Sequence, residues 1–146
     1  MKRIRDDRDR PDPVIHPDSD GFWKSLERGE LRLQRCAACA TWRFPVSPVC
    51  HRCLSFEHTW EPVSPAGTVA AAIVVQRATG DPAWGAHAPF ASGIVDLEHE
   101  LRLPGRILCT CGEGLRRGAA VQAVVLTSSG HPAVMAFSHA CVSDND

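Results

Sequence analysis

The sequence predicts a mainly β protein with a short N-terminal helix, a small ribbon held by four cysteines and a C-terminal five-stranded barrel. Two CxxC pairs occur within residues 36–53, and five apolar segments with the pattern of strands follow them, separated by turns and loops. A small module followed by five short strands fits the OB-fold, a partly open Greek-key barrel, better than an SH3-like barrel. We therefore expect a tail over residues 1–17, the helix and ribbon over 18–63, and the OB-fold over 64–146.

The N-terminal region divides into the tail and the helix. The tail alternates arginine and aspartate with several prolines, a composition that buries little surface and predicts mobility. Residues 18–29 predict one short helix, because aspartate and serine can cap its start and Gly29 suits its end. Phe22, Trp23 and Leu26 recur at helical spacing on one face. A helix this short is marginal alone, so its aromatic face must dock on the ribbon or on another protein.

Composition and charge restrict the partners and the cellular compartment that we expect for the protein. The formal net charge is −1, so no global field draws the chain to nucleic acid or to an anionic membrane. The sequence contains no run of about 18 apolar residues, so it predicts no transmembrane helix, and the N-terminus lacks the apolar stretch of a signal peptide. We expect a cytoplasmic protein. In that reducing compartment paired cysteines favour a metal over disulfides, as does the odd count of seven cysteines.

Two CxxC turns can supply the four corners of a tetrahedron. Zn²⁺ prefers this closed four-thiolate arrangement in structural sites, which leaves no position for substrate or water. Four thiolates around Zn²⁺ carry a net charge of about −2, and arginines beside the ligands at 35, 43 and 52 are placed to offset it. The predicted zinc ligands are Cys36, Cys39, Cys50 and Cys53.

The same four sulfurs leave an alternative open. A rubredoxin-like electron carrier binds iron with this geometry, and ligand softness does not separate the two metals. Such turns usually carry glycine after the second cysteine, where this chain has Ala40 and Leu54. His51 and His58 lie close enough in sequence to replace a cysteine, although four thiolates suffice. The other three cysteines, at 109, 111 and 141, are expected to be small buried residues at strand ends.

The C-terminal part predicts five strands and no helix. Each segment is rich in β-branched or alternating apolar residues, and the segments are separated by turns such as His99–Glu100 or by longer loops. The predicted strands are 67–77, 90–98, 101–109, 119–127 and 132–140.

The barrel carries no motif of a known catalytic site, and its charge argues against nucleic acid. The cluster "DLEHE" (96–100) spans a predicted hairpin turn, where charges face solvent. Five basic and seven acidic residues occur from 64 to 146, without an aromatic platform on the strands. Phosphates would be repelled and bases would not stack, so single-stranded nucleic-acid binding is the weaker alternative.

One loop, residues 78–90, is long for such a barrel. It carries Trp84, His87 and Phe90 among small residues. Loops of this length with aromatic residues often form contact surfaces. The alternative is that Trp84 folds back over the barrel mouth.

The order of several short motifs resembles one family of bacterial and archaeal proteins. These motifs are "GFW" (21–23), "GEL" (29–31), "QRCAAC" (34–39), "FPVSPVC" (44–50) and "GTV" (67–69). The family joins a rubredoxin-like zinc ribbon to an OB-fold and is known as the domain of unknown function number 35, or as acyl-CoA-associated zinc-ribbon proteins. This chain departs from it at the residues after each CxxC and at His51, while all four ligands are intact.

The resemblance implies an accessory role beside another enzyme. Members of the family look like companions of thiolase-fold subunits, namely thiolases, acyltransferases and steroid side-chain aldolases, or of MaoC-type enoyl-CoA hydratases. It implies that acyl-CoA chemistry occurs on the partner, which this chain stabilises and whose substrate entrance it helps to form. The residues that we expect at the partner are Phe22, Trp23, Trp84, His87 and Phe90.

Overall fold

The computed structural model describes residues 1–8, 10–80, 82–109 and 112–140. They form a three-stranded sheet in the ribbon and a six-stranded sheet that contains the barrel. In chain order the strands and α-helices are β1 (Arg3–Arg5), α1 (Asp20–Glu27), β2 (Arg32–Cys36), β3 (Trp42–Arg43), β4 (His58–Pro62), β5 (Ala66–Val75), α2 (Pro82–His87), β6 (Phe90–Asp96), β7 (Arg102–Leu108), β8 (Ala120–Ser128) and β9 (His131–Ser138).

Helix α1 ends as predicted but begins differently. The Gly29 N–H donates to the Leu26 carbonyl at 2.9 Å, and the Glu30 N–H donates to the Ser25 carbonyl at 2.9 Å. Gly29 has φ of +80°, the left-handed conformation that this helix end requires. At the other end Ser19 occupies the cap position without a side-chain cap bond, because its hydroxyl donates to the His16 carbonyl and accepts from the Trp23 indole.

The ribbon sheet has β2 at its centre, between β3 and β4. Strand β2 leads into the first CxxC pair and delivers Cys36 at its end. Leu31 and Leu33 lie in the same hydrophobic cluster as the barrel interior, where Phe22 of α1 also packs. Ribbon, helix and barrel thus share one core.

The five predicted barrel strands are confirmed, and they close in OB-fold order. Strand β5 pairs with β6, β6 with β7, β7 with β9, β9 with β8, and β8 with β5. Only the β7–β9 pair is parallel among these described pairs. The interior is filled by inward-facing apolar side chains, among them Val69, Val95, Leu103, Val121 and Phe137.

The first residues differ from the mobile tail that composition predicts. Strand β1 pairs in parallel with Val125, Leu126 and Thr127 of β8. Strand β5 pairs with β8 only through Ala66–Thr68, so the rest of that β8 edge is available to β1. Burial then extends along the segment, since Asp6 is 7% exposed and Arg10 is 4% exposed. Composition alone could not show that a distant strand edge would bind this segment.

The expectation of no helix in the C-terminal part is wrong, because α2 lies in the loop between β5 and β6. Pro82 suits the first helical position and alanines follow it, which explains a single short helix there. Both α-helices are short. In the part of the chain that the structure describes, none has the length and apolar character needed to span a bilayer.

Candidate metal centre and its surroundings

The four predicted ligands come together at one end of the ribbon. Their sulfur atoms lie within 4.8 Å of one another. The Cys36 and Cys53 sulfurs are 3.6 Å apart, and the Cys39 and Cys50 sulfurs are 3.7 Å apart. A tetrahedron with Zn–S bonds of about 2.3 Å has edges of about 3.8 Å, so this donor set fits Zn²⁺.

Each CxxC turn closes through a backbone hydrogen bond. The Ala40 N–H donates to the Cys36 carbonyl and the Leu54 N–H donates to the Cys50 carbonyl, both at 2.9 Å. Both donors have left-handed backbones, with φ of 59° at Ala40 and 62° at Leu54. For residues other than glycine, this conformation is about 1–2 kcal/mol less favourable than the right-handed one. Other amides of the same turns donate to sulfurs, those of Ala38 and Cys39 to Cys36 and those of Arg52 and Cys53 to Cys50.

Arg43 is buried directly beneath the sulfurs. Its side chain is 1% exposed, and Nη2 donates to the Glu57 carbonyl at 2.8 Å and to the Ser55 carbonyl at 3.0 Å. Burial lowers the pKa of Arg43, but its interactions with Cys36 and Cys50 outweigh burial and raise that pKa above its ordinary value. This guanidinium is therefore a permanent cation against the thiolates.

The thiol pKa is lowered at two of the cysteines, Cys36 and Cys50, and raised at Cys53. The Arg43 hydrogen bond, with help from the Cys39 and Ala38 amides, lowers the pKa of Cys36 to about 5. The Cys53 and Arg52 amides lower the pKa of Cys50. At Cys53 the Ser55 amide lowers the pKa, but the neighbouring sulfurs and burial outweigh it and raise the pKa to about 12. Metal loading at neutral pH would thus displace a proton from Cys53.

The other predicted neighbours of the site lie outside the sulfur cluster. Arg35 donates to the Ala40 carbonyl at 3.2 Å, and Arg52 is exposed. His58 contacts Gln34 at 3.2 Å, and His51 is exposed. Of the three arginines that the sequence placed beside the ligands, Arg43 is the one buried against the sulfurs.

The ribbon meets the barrel through a stack of three side chains. The Trp42 and His99 rings lie 4.8 Å apart with an interplanar angle of 14°, and the Arg35 guanidinium lies 5.6 Å from the Trp42 ring centroid. His99 and Glu100 have φ of 60° and 58°, as in a type I′ hairpin turn. The "DLEHE" cluster therefore forms a junction, where Glu98 accepts from the Ser64 N–H at 2.6 Å.

The aromatic residues of the long loop form a cluster. The Trp84 ring centroid lies 5.5 Å from that of His87 and 5.4 Å from that of Phe90. His87 is buried, while Trp84 and Phe90 are half-buried. Trp84 lines a cavity of about 370 Å³ together with residues 10–13. Near the ribbon, Phe22 and Trp23 form an edge-to-face pair with centroids 5.2 Å apart.

Sequence reasoning missed a cleft of about 1120 Å³ between the N-terminal segment and the barrel. Residues 2–8 form one wall, and Val74, Phe90 and Ile107 contribute to the barrel side. The sequence gives only a weak signal for it, the single apolar residue Ile4 among the basic residues of "KRIR". Half-buried Cys109 also lines this cleft, whereas the other cysteines of that group, at 111 and 141, lie outside the described residues.

Family domains match the two modules in order. The domain described as "ChsH2, rubredoxin-like zinc ribbon domain" matches residues 23–59, and the one described as "ChsH2, C-terminal OB-fold domain" matches residues 60–126. Together they span the metal centre and most of the barrel.

Individual relatives are similar over different lengths. A probable enoyl-CoA hydratase alpha subunit of Thermomonospora curvata is 35% identical over 95 residues, which are 64% of this chain and 28% of that protein. This chain thus spans little more than a quarter of that relative.

Two solved structures share the fold. A chain of the structure named "Ltp2-ChsH2(DUF35) aldolase" is 26% identical, with a TM-score of 0.77, over 88% of this chain and 98% of that one. A protein of unknown function from the DUF35 family of Sulfolobus solfataricus, with 14% identity and a TM-score of 0.57 over 86% of this chain and 87% of its own, supports the fold alone.

Proposed function

Because the chain belongs to the ChsH2 family, in which a rubredoxin-like zinc ribbon precedes an OB-fold, we propose that it is an accessory subunit of a hetero-oligomeric acyl-CoA enzyme. In this proposal zinc is structural and the reaction occurs on the partner subunit. The observation that carries the proposal is the likeness to the ChsH2(DUF35) aldolase chain, which extends over 98% of that chain.

The donor set supports a structural metal. Cys36, Cys39, Cys50 and Cys53 would hold Zn²⁺, and four sulfurs fill its coordination sphere without leaving a position for substrate. The ion would cross-link the two turns of the ribbon. Arg43 would balance part of the charge of about −2, while the Ala40 and Leu54 turns hold the sulfurs in place.

The fixed ribbon would also orient the barrel. Strand β2 ends at Cys36 and lies between β3 and β4, so the metal holds all three strands in register. Trp42 on β3 then stacks on His99 at the tip of the β6–β7 hairpin. A subunit with one rigid core can present its surface to a partner without reorganisation, which favours a stable complex.

The similar proteins support two classes of partner enzyme. One is a thiolase-fold subunit such as an aldolase, which the named ChsH2(DUF35) structure supports. The other is a MaoC-type enoyl-CoA hydratase, which the relative from Thermomonospora curvata supports. In either complex the Trp84–His87–Phe90 cluster would lie beside the acyl-CoA entrance, since the half-buried rings of Trp84 and Phe90 on this long loop are suited to that contact.

Native co-purification tests the proposal. A tagged chain should retain a stoichiometric enzyme subunit, and the reconstituted pair should turn over an acyl-CoA thioester by retro-aldol cleavage or by hydration. The chain alone should be inactive in both assays. Turnover by the chain alone, or a partner whose activity and stability are unchanged when this chain is removed, would contradict the accessory role.

A substitution in the loop tests separately whether it lies at the acyl-CoA entrance. Trp84→Ala should weaken the complex or lower partner turnover, whereas Phe56→Ala, which removes a 70% exposed aromatic ring outside the expected partner contacts, should leave both unchanged. If complex affinity and turnover are both unchanged in Trp84→Ala, the loop does not lie at the acyl-CoA entrance.

A further inference from the structure

We infer that the cleft between residues 2–8 and strand β5 receives an extended segment of the enzyme partner, apolar on one side and acidic on the other, which pairs as an additional strand. This inference rests on the proposed function, because it names the surface through which the accessory subunit would hold its enzyme.

Two strand edges border the cleft, and both are open. Strand β5 pairs with β8 as far as Thr68, and Val69 still exchanges hydrogen bonds with Gly118 and Ala119. From Ala71 to Val75 it pairs with β6 alone among the described strands. Strand β1 pairs with β8 alone within the same described part of the chain. Val74 and residues 2–8 line the same cleft, so both edges border one space. Backbone N–H and C=O groups on such edges are templates for another strand.

The exposed end of β5 lacks the features that protect an edge strand. No charged residue occurs between Glu61 and Arg77, and β5 itself contains neither lysine nor proline. Ile73 is 66% exposed on one side of the strand, and Val74 is 46% exposed on the cleft side. A long, uncharged and exposed edge strand is an association site unless something covers it. The covering segment must therefore be extended and must bring apolar side chains to the cleft.

The charged residues that line the cleft indicate which side chains the other face of the segment should carry. The side chains lining the cleft include five basic and two acidic ones, and its floor is apolar at Ile107 and Leu126. The charged ones are Lys2, Arg3, Arg5, Arg8 and Arg106, with Asp6 and Asp7. An acidic side chain facing residues 2–8 would complement this excess of positive charge, and a basic one would be repelled.

The ion pairs that the cleft arginines already make favour a peptide over a small phosphorylated ligand as the occupant of the cleft. Arg8 and Arg106 contact Asp6 at 2.7 and 3.2 Å, and Arg5 contacts Asp7. These guanidiniums are already held by carboxylates, so they do not form a ready phosphate clamp. Backbone pairing along two open edges is satisfied only by another polypeptide.

The test compares matched variants in the complex with the co-purified enzyme. Val74→Glu places a negative charge inside the cleft, while Ile73→Glu places the same charge one residue away on the opposite side of β5. We expect Val74→Glu to weaken the complex by about tenfold or more, because its carboxylate would be buried against the apolar side chains of the segment, and Ile73→Glu to stay within about twofold. Circular dichroism and melting curves of each variant confirm that both fold.

Hydrogen exchange gives the second measurement. Amides of residues 71–75 and 3–5 should gain protection when the enzyme binds. Equal affinity of both variants with no added protection would overturn the inference while leaving the accessory role intact. Protection that appears in the chain alone and rises with its concentration would assign the edge to a second copy, and displacement of a bound acyl-CoA without any enzyme would assign the cleft to a ligand. Either result overturns the inference, and failure to form any complex overturns it together with the proposed function.

Discussion

Trp42 of the ribbon and His99 of the barrel hairpin lie face to face, with ring centroids 4.8 Å apart and planes 14° apart. Arg35 lies 5.6 Å from the Trp42 centroid, so a residue next to a sulfur ligand takes part in the same stack. This contact connects the metal centre to the barrel, and the two modules therefore should not unfold independently.

The stack predicts a measurable coupling between ribbon and barrel. His99→Asn removes the stacked ring while keeping a residue that tolerates the left-handed φ of 60°. We expect a loss of about 1 kcal/mol in the free energy of unfolding, the usual worth of an aromatic pair. Glu100→Asn is the control, because it shares the left-handed backbone, and it should change little. Equal effects of the two variants in urea titrations would show that the stack contributes nothing.

Arg43 should be required for the metal centre. Arg43→Met removes the buried cation and its hydrogen bonds to the Ser55 and Glu57 carbonyls, which then keep only backbone N–H donors. Breaking a buried charge cluster costs about 3–5 kcal/mol, so we expect lower stability and faster loss of zinc to a competing chelator. The exposed neighbour Arg52→Met should retain zinc like the unaltered chain. If Arg43→Met retains zinc equally well, its charge does not stabilise the thiolates.

The two left-handed knuckle residues predict stabilising substitutions. Ala40→Gly and Leu54→Gly should each raise the free energy of unfolding by about 1 kcal/mol, because glycine adopts positive φ without a steric cost. Ala38→Gly, in the same turn but without a positive φ, should be neutral or destabilising. Thermal unfolding of the zinc-loaded variants decides the matter, and destabilisation by both knuckle glycines would show that no strain is present.

Asp6 makes stability depend on pH in the acid range. Burial raises the pKa of Asp6, but its bonds to Arg8 and the charge of Arg106 outweigh burial and hold that pKa below 3.8. A carboxyl with a lowered pKa stabilises the folded state fully above its ordinary value and loses this contribution as pH falls through the lowered one.

The matching variant is Asp6→Asn, measured as melting temperature against pH. The unaltered chain should lose stability as pH falls below about 4, and Asp6→Asn should show a smaller loss over that range. Asp7→Asn, which removes an exposed pair with Arg5, should follow the unaltered curve. Identical curves for all three proteins would exclude Asp6 as the group responsible.

Local patterns in the sequence sufficed for the strands and the four sulfurs. β-Branched runs between turns predict strands because both features act over a few neighbouring residues, and CxxC spacing predicts ligands because the geometry lies within one turn. Three arginines beside the ligands looked equivalent in sequence. Only the folded ribbon shows that Arg43 is buried under the sulfurs while Arg52 is exposed.

The features that sequence reasoning missed depend on long-range contacts. The composition of residues 1–17 predicts a mobile tail, yet the β8 edge that binds β1 lies about 120 residues further along the chain. The cleft brings residues 2–8 against side chains of β5, β6 and β7, which lie about 70–100 residues further along the chain, and no local pattern reports such a contact. Helix α2 was missed for a different reason, since a helix of fewer than two turns has too little periodicity to detect.

The most direct measurement of the central claim is the metal content of the chain purified under native conditions, followed through chelation. The account predicts one zinc ion per chain in a colourless protein, with loss of zinc accompanied by unfolding of the ribbon. A red protein containing iron, or a folded metal-free chain with its four ribbon cysteines joined in disulfides, would contradict it.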